Sequence, residues 1–359
     1  MIEFPPVPAP DVTAEARLKE SLVSNPRAMS YGRLAQVAAW LAGCQGTHIP
    51  QRLARPRTIV FAGDHGIASR GVSAFTPEAS VLQAEEMEAG SAPVNTAARI
   101  AGSSVRLVDV SLNREPEDTQ DKISLATRPF DVDNAMDDAD FLRAAQLGVR
   151  IADQEIDSGA DFFIIGDLGV GNTTVAAAVM ATFAYTEPVK IVGRGSGIND
   201  EVWKVKVAAV RDAMFRVRDV RNDLEAVLTA ISSPDFVAAA AFMAQAAVRS
   251  TPMLIDGAFT AVAAYIAERL APGAKQWMMA GQLSPEPCHA IAVQALDLTP
   301  LAALDITTGQ GVGALTVFPA ITATIDLIAD EMRVQEAHEA EGHAEVSGDE
   351  PGWEVDDAT

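Results

Sequence analysis

The chain has 359 residues, a formal net charge of −22, and a composition that is 48% hydrophobic but only 6% aromatic. This length and apolar content suffice for one large α/β domain with a smaller part attached, and the acidic balance argues against nucleic acid as a partner. The chain opens with no basic, apolar leader, and no uninterrupted apolar stretch reaches the roughly 20 residues of a membrane span, so neither export nor a membrane partner is expected. Cys44 and Cys288 stand far apart in no metal-ligand spacing, which indicates a reduced, cytoplasmic protein.

The first 55 residues contain a proline-rich start and two helical patterns, near 11–23 and 33–42. We therefore assign 1–55 to a helical segment that contributes to a small domain. The first strand is predicted at 57–62, and it runs into a Gly-Asp-His-Gly turn that contains Asp64 and His65. Open α/β sheets bind ligands at the carboxyl ends of their strands, so both residues are catalytic candidates. The alternative is that they hydrogen-bond to each other and cap the turn.

A helix is predicted within 75–90, a second strand at 105–110, an acidic surface excursion at 113–140 and a helix at 139–158. The stretch that follows, FFIIGDLGVGNTT at 162–174, combines a strand buried on both faces, a glycine-rich turn and a helix start. The free amides and the dipole of such a helix end favour a phosphate, and Thr173 and Thr174 add hydroxyl donors. A glycine turn that merely reverses the chain is the alternative, since no P-loop Gly-Lys-Ser/Thr follows.

Two further glycine loops have the same character. The first, VGRGSGI at 192–198, follows an apolar run at 189–192 and precedes a helix at 200–217 that contains Lys206. The second, TGQGVGA at 308–314, opens a final helix that is expected to end at 332. Three glycine loops at strand–helix junctions predict one site at one edge of a sheet. Lys206 would then neutralise an anion there; the alternative is an ordinary surface lysine.

Helices are predicted at 235–248 and 258–270, and strands at 252–255, 275–280 and 304–307. Glu286 lies between two prolines and is held stiffly, with His289 one helical turn further on; capping of that helix is the structural alternative for both. Strands alternate with helices throughout, which predicts an α/β fold with a parallel, doubly wound sheet over 56–335. From Asp330 onward there are 11 acidic residues and one arginine, and we predict an acidic, disordered tail at 336–359.

Five motifs occur in an order that resembles one family. They are AGDHG at 62–66 followed by GVS at 71–73, GDLGVGNTT at 166–174, VGRGSG at 192–197, SPEPCH at 284–289 and GQGVGA at 309–314. Each glycine motif is weak alone, but the ordered set is similar to the nicotinate-nucleotide–dimethylbenzimidazole phosphoribosyltransferases. The resemblance implies a Rossmann-like parallel sheet, a small helical domain and a homodimer. It also implies transfer of phosphoribose from nicotinate mononucleotide to 5,6-dimethylbenzimidazole, giving nicotinate and α-ribazole 5′-phosphate, a step that builds the lower ligand of cobalamin.

The resemblance also implies roles for particular residues. The phosphate and ribose would be bound by Gly169, Gly171, Asn172, Thr173, Thr174, Gly195, Ser196, Gly197 and Lys206. The aromatic base would be bound by Phe75, Gln83, Leu168, Thr308 and Gly309, and the catalytic positions are Asp167 and Gln310. No metal or other cofactor is required, because nicotinate leaves from a pyridinium nitrogen without an acid. The acceptor base must lose its N–H proton as the new bond forms, which calls for a general base.

The chain departs from the family where that base is expected. The family's Arg-Leu-Gly-Glu-Gly loop, with Glu as the general base, is Thr-Thr-Gly-Gln-Gly at 307–311, and a glutamine cannot take up a proton at neutral pH. The family's Ser-His is Gly-Gln at 281–282, its Gly-Glu-Met is Gly-Asp-Leu at 166–168, and its Pro-Gly-His is Pro-Cys-His at 287–289. Either Asp167 takes over as base, or the acceptor differs, or the chain is a catalytically impaired or regulatory nucleotide-binding paralogue.

A dinucleotide-dependent oxidoreductase is disfavoured. The loop at 193–197 lacks the G-x-G-x-x-G spacing of such enzymes, and no suitable acidic residue follows about 20 positions later.

Overall fold

The computed structural model describes residues 3–115 and 120–346. The described chain forms two compact units. The larger one contains the residues up to Pro10 together with Leu53–Ala320, and the smaller one contains Asp11–Arg52 together with the chain from Ile321 onward. From the sequence, the N-terminal helical segment is predicted to end at 55 and the α/β domain to end at 335.

The larger unit is built on a five-stranded sheet in the order β2-β1-β3-β4-β5, with every neighbouring pair parallel. Its strands are β1 (Pro56–Gly63), β2 (Ser104–Ser111), β3 (Phe162–Leu168), β4 (Met253–Ile255) and β5 (Met278–Ala280). A separate parallel pair joins β6 (Gln282–Leu283) to β7 (Ala302–Ala303). The central strand β3 is buried along its whole length, as its unbroken apolar run predicts.

The helices connect and cover these strands. In chain order they are α1 (Val12–Val23), α2 (Pro26–Met29), α3 (Arg33–Gln45), α4 (Ala79–Glu88), α5 (Pro93–Ala101), α6 (Asp138–Asp157), α7 (Asn172–Ala184), α8 (Pro188–Ile191), α9 (Asp200–Arg216), α10 (Leu224–Ile231), α11 (Pro234–Val248), α12 (Gly257–Leu270), α13 (Pro287–Ala295) and α14 (Val312–Val346). Short 3₁₀ helices lie at Gly66–Arg70 and Ala274–Trp277.

Helices cover both faces of the sheet. On one face the ring of Phe242 in α11 lies 5.5 Å from that of Phe61 and 4.8 Å from that of Phe163. On the other face Phe162 packs on Phe318 of α14, with the ring centroids 5.3 Å apart. Because adjacent residues of a strand point to opposite faces, Phe162 and Phe163 each bury against a different helix layer. The parallel, doubly wound α/β fold predicted from the sequence is confirmed.

The close packing of α6 on α11 depends on one glycine. A Cβ added at Gly148 would collide with the main-chain oxygen of Ala238, so the backbones of the two helices meet directly there. Residue 148 must therefore be glycine for these helices to pack as they do.

Two predicted strands are absent from the described residues. The run at 189–192 lies mostly in the short helix α8, where Pro188 occupies the first helical position and Val189 is exposed. At 304–307 the chain is irregular: the strand register with β6 ends at Ala303, one further N–H, that of Asp305, donates to the carbonyl of Leu283 at 3.2 Å, and Leu304 and Thr307 are exposed. The sequence predicts that the second and third glycine loops follow strands. This prediction is wrong, because neither loop follows a strand of the main sheet.

The smaller unit is helical. Its core contains Leu18 and Leu22 of α1, Ala38 of α3, and Ile328 and Met332 of α14. The final helix continues to Val346, whereas the sequence predicted an end at 332 and disorder from 336. The extra turns are rich in Ala and Glu, which are strong helix formers. The remainder of the predicted tail, 347–359, lies outside the described residues.

One segment of α14, Val312–Gln335, has the length and mean hydropathy of a membrane span. Half of its most apolar stretch is buried inside the protein. A core helix of a water-soluble protein has the same properties, so this segment is weak support for membrane insertion.

Candidate active site

A cavity of about 480 Å³ opens where β3 and β4 end. Of the sixteen residues predicted for the site, fourteen line this cavity in the part of the chain that the structure describes. They are Phe75, Gln83, Asp167, Leu168, Gly169, Gly171, Asn172, Thr173, Gly195, Ser196, Lys206, Thr308, Gly309 and Gln310. Segments that lie far apart in the sequence thus meet at one edge of the sheet.

The structure does not bring the other two predicted residues, Thr174 and Gly197, to the cavity wall. Thr174 is fully buried in the first turn of α7, and its hydroxyl has no hydrogen-bond partner among the described residues. Gly197 has a φ of 88°, and its N–H donates to the carbonyl of Arg194 at 3.0 Å. A left-handed φ favours glycine, so Gly197 shapes the loop instead of facing a ligand.

Asp167, at the carboxyl end of β3, is the central carboxylate of the site and is 4% exposed. The side-chain amide of Asn172 donates to its Oδ2, and the Asn172 Oδ1 accepts the Thr173 N–H at 2.7 Å. Burial raises the pKa of Asp167 to about 7. The Asn172 hydrogen bond acts against this rise, while the charge of Asp256 adds to it. A carboxyl group with such a pKa can exchange a proton near neutral pH.

The side of the cavity beside α7 is suited to an anion. Lys206 of α9 is 1% exposed, and its Nζ donates to Thr173 Oγ1 at 2.7 Å. Burial lowers the pKa of Lys206, and the charge of Glu286 partly offsets this. A Cβ at Gly195 would lie 3.0 Å from both the Lys206 Nζ and the Thr173 hydroxyl. The glycine therefore lets the loop approach these donors, next to the positive end of α7.

The loop that contains Gly195 is tied to two neighbours. The Ser196 hydroxyl accepts the Ala74 N–H at 2.9 Å and lies 3.0 Å from the Ser73 hydroxyl. On its other side, the Gly195 N–H donates to Glu286 Oε1 at 2.6 Å. Glu286 precedes α13 but makes no side-chain cap on that helix, so the predicted capping alternative does not hold for it.

His289, one turn into α13, is buried and neutral. Its Nδ1 accepts the Ser284 N–H at 3.1 Å and lies 2.9 Å from the Ser284 hydroxyl. Burial lowers the pKa of His289 to about 4. The residue therefore serves to hold the turn before α13, while Ser284 itself lines the cavity.

Another side of the cavity presents apolar surface and two amides. Gln310 is almost fully buried with a φ of 59°, and its main-chain N–H donates to the carbonyl of Asp167 at 2.8 Å. Its side-chain Nε2 lies 3.5 Å from Gln83 Oε1, and its Oε1 has no partner within the described chain. Phe75, 54% exposed, and Leu168 supply the apolar wall. This side can accept a flat aromatic base and hydrogen-bond to its ring nitrogens.

Asp256 also lines the cavity, although no sequence motif singled it out. It follows β4 directly; its Oδ1 accepts from Gln282 Nε2 at 3.1 Å and its Oδ2 accepts the Gly313 N–H at 2.9 Å. Burial raises its pKa to about 6. The available signal was an acidic residue directly after a buried strand, the position that also singled out Asp64.

Asp64 and His65 lie outside the cavity and do not form the predicted pair. The His65 Nε2 lies 3.1 Å from Asp235 Oδ2, and its Nδ1 lies 3.1 Å from the carbonyl of Val170. Burial lowers the pKa of His65, but the charge and hydrogen bond of Asp235 outweigh burial, and the net shift is upward. Asp64 instead accepts the Asn113 N–H at 2.8 Å. Both residues thus brace loops behind the site.

A protein-family model described as "Phosphoribosyltransferase" matches residues 6–338. A nicotinate-nucleotide–dimethylbenzimidazole phosphoribosyltransferase of Corynebacterium efficiens is 50% identical, over 94% of this chain and 90% of its own length. One of the same name from Mycobacterium ulcerans is 42% identical, over 94% of this chain and 95% of its own.

Among solved structures, a crystal structure of nicotinate-nucleotide–dimethylbenzimidazole phosphoribosyltransferase from Thermus thermophilus superposes with a TM-score of 0.82. The two chains are 30% identical, and the match covers 89% of this chain and 96% of that one. The likeness therefore extends over nearly the whole fold.

Proposed function

Because this chain belongs to the nicotinate-nucleotide–dimethylbenzimidazole phosphoribosyltransferase family, we propose that it transfers phosphoribose from nicotinate mononucleotide to 5,6-dimethylbenzimidazole or a related base. The products are nicotinate and α-ribazole 5′-phosphate, which supplies the lower ligand of cobalamin. The enzyme acts in the cytoplasm as a homodimer, and light scattering of the purified protein in solution tests the dimer.

The observation that supports this reaction best is the division of the cavity into two unlike sides that share one carboxylate. Lys206, Thr173 and the Gly195 loop form a side suited to a phosphate. Phe75 and Gln310 contribute to the side suited to an aromatic base. A phosphoribosyl donor and an aromatic acceptor need these two environments within one enclosed pocket.

Asp167 lies where the two sides meet. Its carboxylate is hydrogen-bonded to Asn172 at the start of α7, and its main-chain oxygen accepts from Gln310. As nicotinate leaves, C1′ of the ribose acquires oxocarbenium character, and a nearby carboxylate stabilises that charge. The same carboxylate then takes the proton of the acceptor's N–H as the new C–N bond forms.

Gln310 holds the acceptor but does not deprotonate it. Its side-chain amide, buried beside Gln83, holds the acceptor ring in place while the single ring N–H faces Asp167. The closeness of its loop to β3 requires Gly166, since a Cβ there would collide with the backbone of Gln310. This arrangement supports Asp167 as the general base, although the resemblance places the family's glutamate at position 310.

The alternative of a non-catalytic nucleotide-binding paralogue gains no support from the comparisons, because the relatives described above carry the name of the enzyme. Release of nicotinate from nicotinate mononucleotide, measured chromatographically with a panel of benzimidazoles, tests the proposal. Release that depends on an added benzimidazole supports it. Absence of release with every acceptor would refute it.

A further inference from the structure

The Glu286 carboxylate lies in the cavity wall, and the mechanism above gives it no role. It is 3% exposed and stands between Pro285 and Pro287, immediately before α13. Proline restricts its own backbone and that of the residue before it. Glu286 is therefore held in place instead of adapting to its surroundings.

Only one oxygen of this carboxylate is hydrogen-bonded within the described chain. Oε1 accepts the Gly195 N–H at 2.6 Å, whereas Oε2 has no partner. A Cβ at Gly193 would collide with the carboxylate, so the glycine loop packs directly on Glu286. A buried carboxylate oxygen without a donor is unfavourable, and a ligand that brought a donor to Oε2 would remove that cost.

The cation in the same wall does not neutralise Glu286. The Lys206 Nζ donates to Thr173 Oγ1 and Glu286 Oε1 accepts from Gly195, and the two side chains form no close ion pair in the part of the chain that the structure describes. The cavity thus holds a buried cation and a buried anion that interact but do not pair. A ligand with both an anionic group and hydroxyl donors would satisfy the two together.

A phosphoribosyl group is such a ligand, because its phosphate is joined through C5′ to a ring with two adjacent hydroxyls. With the phosphate held by Lys206, Thr173 and the loop of Gly195, the ring lies close to Glu286, which is bonded to that same loop. We propose that Glu286 binds the sugar of the phosphoribosyl donor, with Oε2 accepting a hydrogen bond from the ribose diol, and so selects ribose over deoxyribose. This inference rests on the proposed function.

The hydrogen bond should also strengthen during the reaction. Positive charge at C1′ makes the ring hydroxyls better donors, as with the hydroxyl next to the reacting carbon in glycoside hydrolysis. Glu286 would then stabilise the transition state more than the bound substrate.

The test measures the binding of three ligands by calorimetry: nicotinate mononucleotide, its 2′-deoxy analogue and its 3′-deoxy analogue. The wild-type protein should bind at least one deoxy analogue about 10- to 100-fold more weakly, the size of a lost hydrogen bond to a charged group. Glu286→Gln should weaken the binding of nicotinate mononucleotide by a similar factor. It should weaken the binding of that deoxy analogue by less than about threefold.

Glu86→Gln is the matched control. Glu86 lines the same cavity but is exposed, so its substitution removes one negative charge from the cavity without removing a buried acceptor. It should change the affinities for all three ligands by the same factor.

Two results would overturn the inference. One is a wild-type protein that binds all three ligands equally well; this comparison needs no variant, so it decides the matter even if Glu286→Gln fails to fold. The other is an equal loss for all three ligands in Glu286→Gln, which would reduce Glu286 to an anchor of the glycine loop. Failure of the proposed function is distinct, because it would appear as no binding of nicotinate mononucleotide at all.

Discussion

The assignment of Asp167 as the general base leads to a prediction that two substitutions can test. Asp167→Asn keeps an acceptor for Asn172 but cannot take up a proton. We expect it to lower nicotinate release with 5,6-dimethylbenzimidazole by about 10²- to 10⁴-fold, the usual contribution of a general base. Gln310→Glu should leave the rate unchanged or lower it, because it places a second carboxylate beside the first.

The pH dependence follows from the burial of Asp167, which raises its pKa to about 7. A base must be ionised to act, so the active fraction is about one tenth at pH 6 and about nine tenths at pH 8. The value of kcat/KM should therefore rise roughly tenfold between these pH values. In Gln310→Glu the added negative charge should raise the pKa of Asp167 further, and the rise in rate should move to higher pH.

Stability should change in the opposite direction to activity. The folded-state pKa of Asp167 lies above its ordinary value of 3.8, so protonation favours the folded state, and this group destabilises the protein as the pH rises from about 4 to 7. Asp167→Asn removes that cost. The variant should be more stable than the wild type at pH 8 by a few kcal/mol, since each unit of pKa shift corresponds to about 1.36 kcal/mol. The difference in stability should vanish near pH 4.

The assay combines steady-state nicotinate release with denaturant unfolding of the same samples. The reasoning would be refuted if Asp167→Asn kept a rate near that of the wild type, or if Gln310→Glu raised turnover about 100-fold or more. The second result would mean that the general base belongs at position 310 and that Gln310 cannot act as one. Rates at background in both the wild type and Gln310→Glu would favour the non-catalytic alternative.

Three further predictions concern the phosphate side, the helix packing and the tail. Thr173→Val should weaken the binding of nicotinate mononucleotide by about 1–3 kcal/mol in calorimetry and hardly change the binding of free nicotinate. Equal losses of affinity for both ligands would contradict the assignment of Thr173 to the phosphate. Gly148→Ala should lower the free energy of unfolding by more than about 1 kcal/mol, because its methyl group meets the Ala238 carbonyl; an unchanged denaturation midpoint would contradict the packing. Truncation after Gln335 should shift Tm by no more than about two degrees, whereas Met332→Ala, a core substitution, should cost about 2–5 kcal/mol. Loss of cooperative unfolding on truncation would show that the removed part packs.

Much of the fold could be predicted because its signals are local. Phe162 to Ile165 are apolar without interruption, and this is typical of a strand covered on both faces. The glycine turn and Asn172 follow at once and begin a helix, so the start of α7 could be placed without knowledge of any neighbour. The same reasoning failed at 189–192, where most of a short apolar run forms a helix that begins at Pro188 and leaves Val189 exposed.

The sequence by itself determined the strand–helix alternation and the glycine loops, because each depends on neighbours a few positions away, while the resemblance to a family supplied most of the cavity residues. Only the tertiary structure decided how their side chains pair. His65 pairs with Asp235, 170 residues further along the chain, and not with the adjacent Asp64. Glu286 accepts the Gly195 N–H across 91 residues, and its second carboxylate oxygen has no partner among the described residues. Such pairs form only after the strands have taken their order in the sheet, and local backbone preferences do not specify which distant loops then meet at its edge.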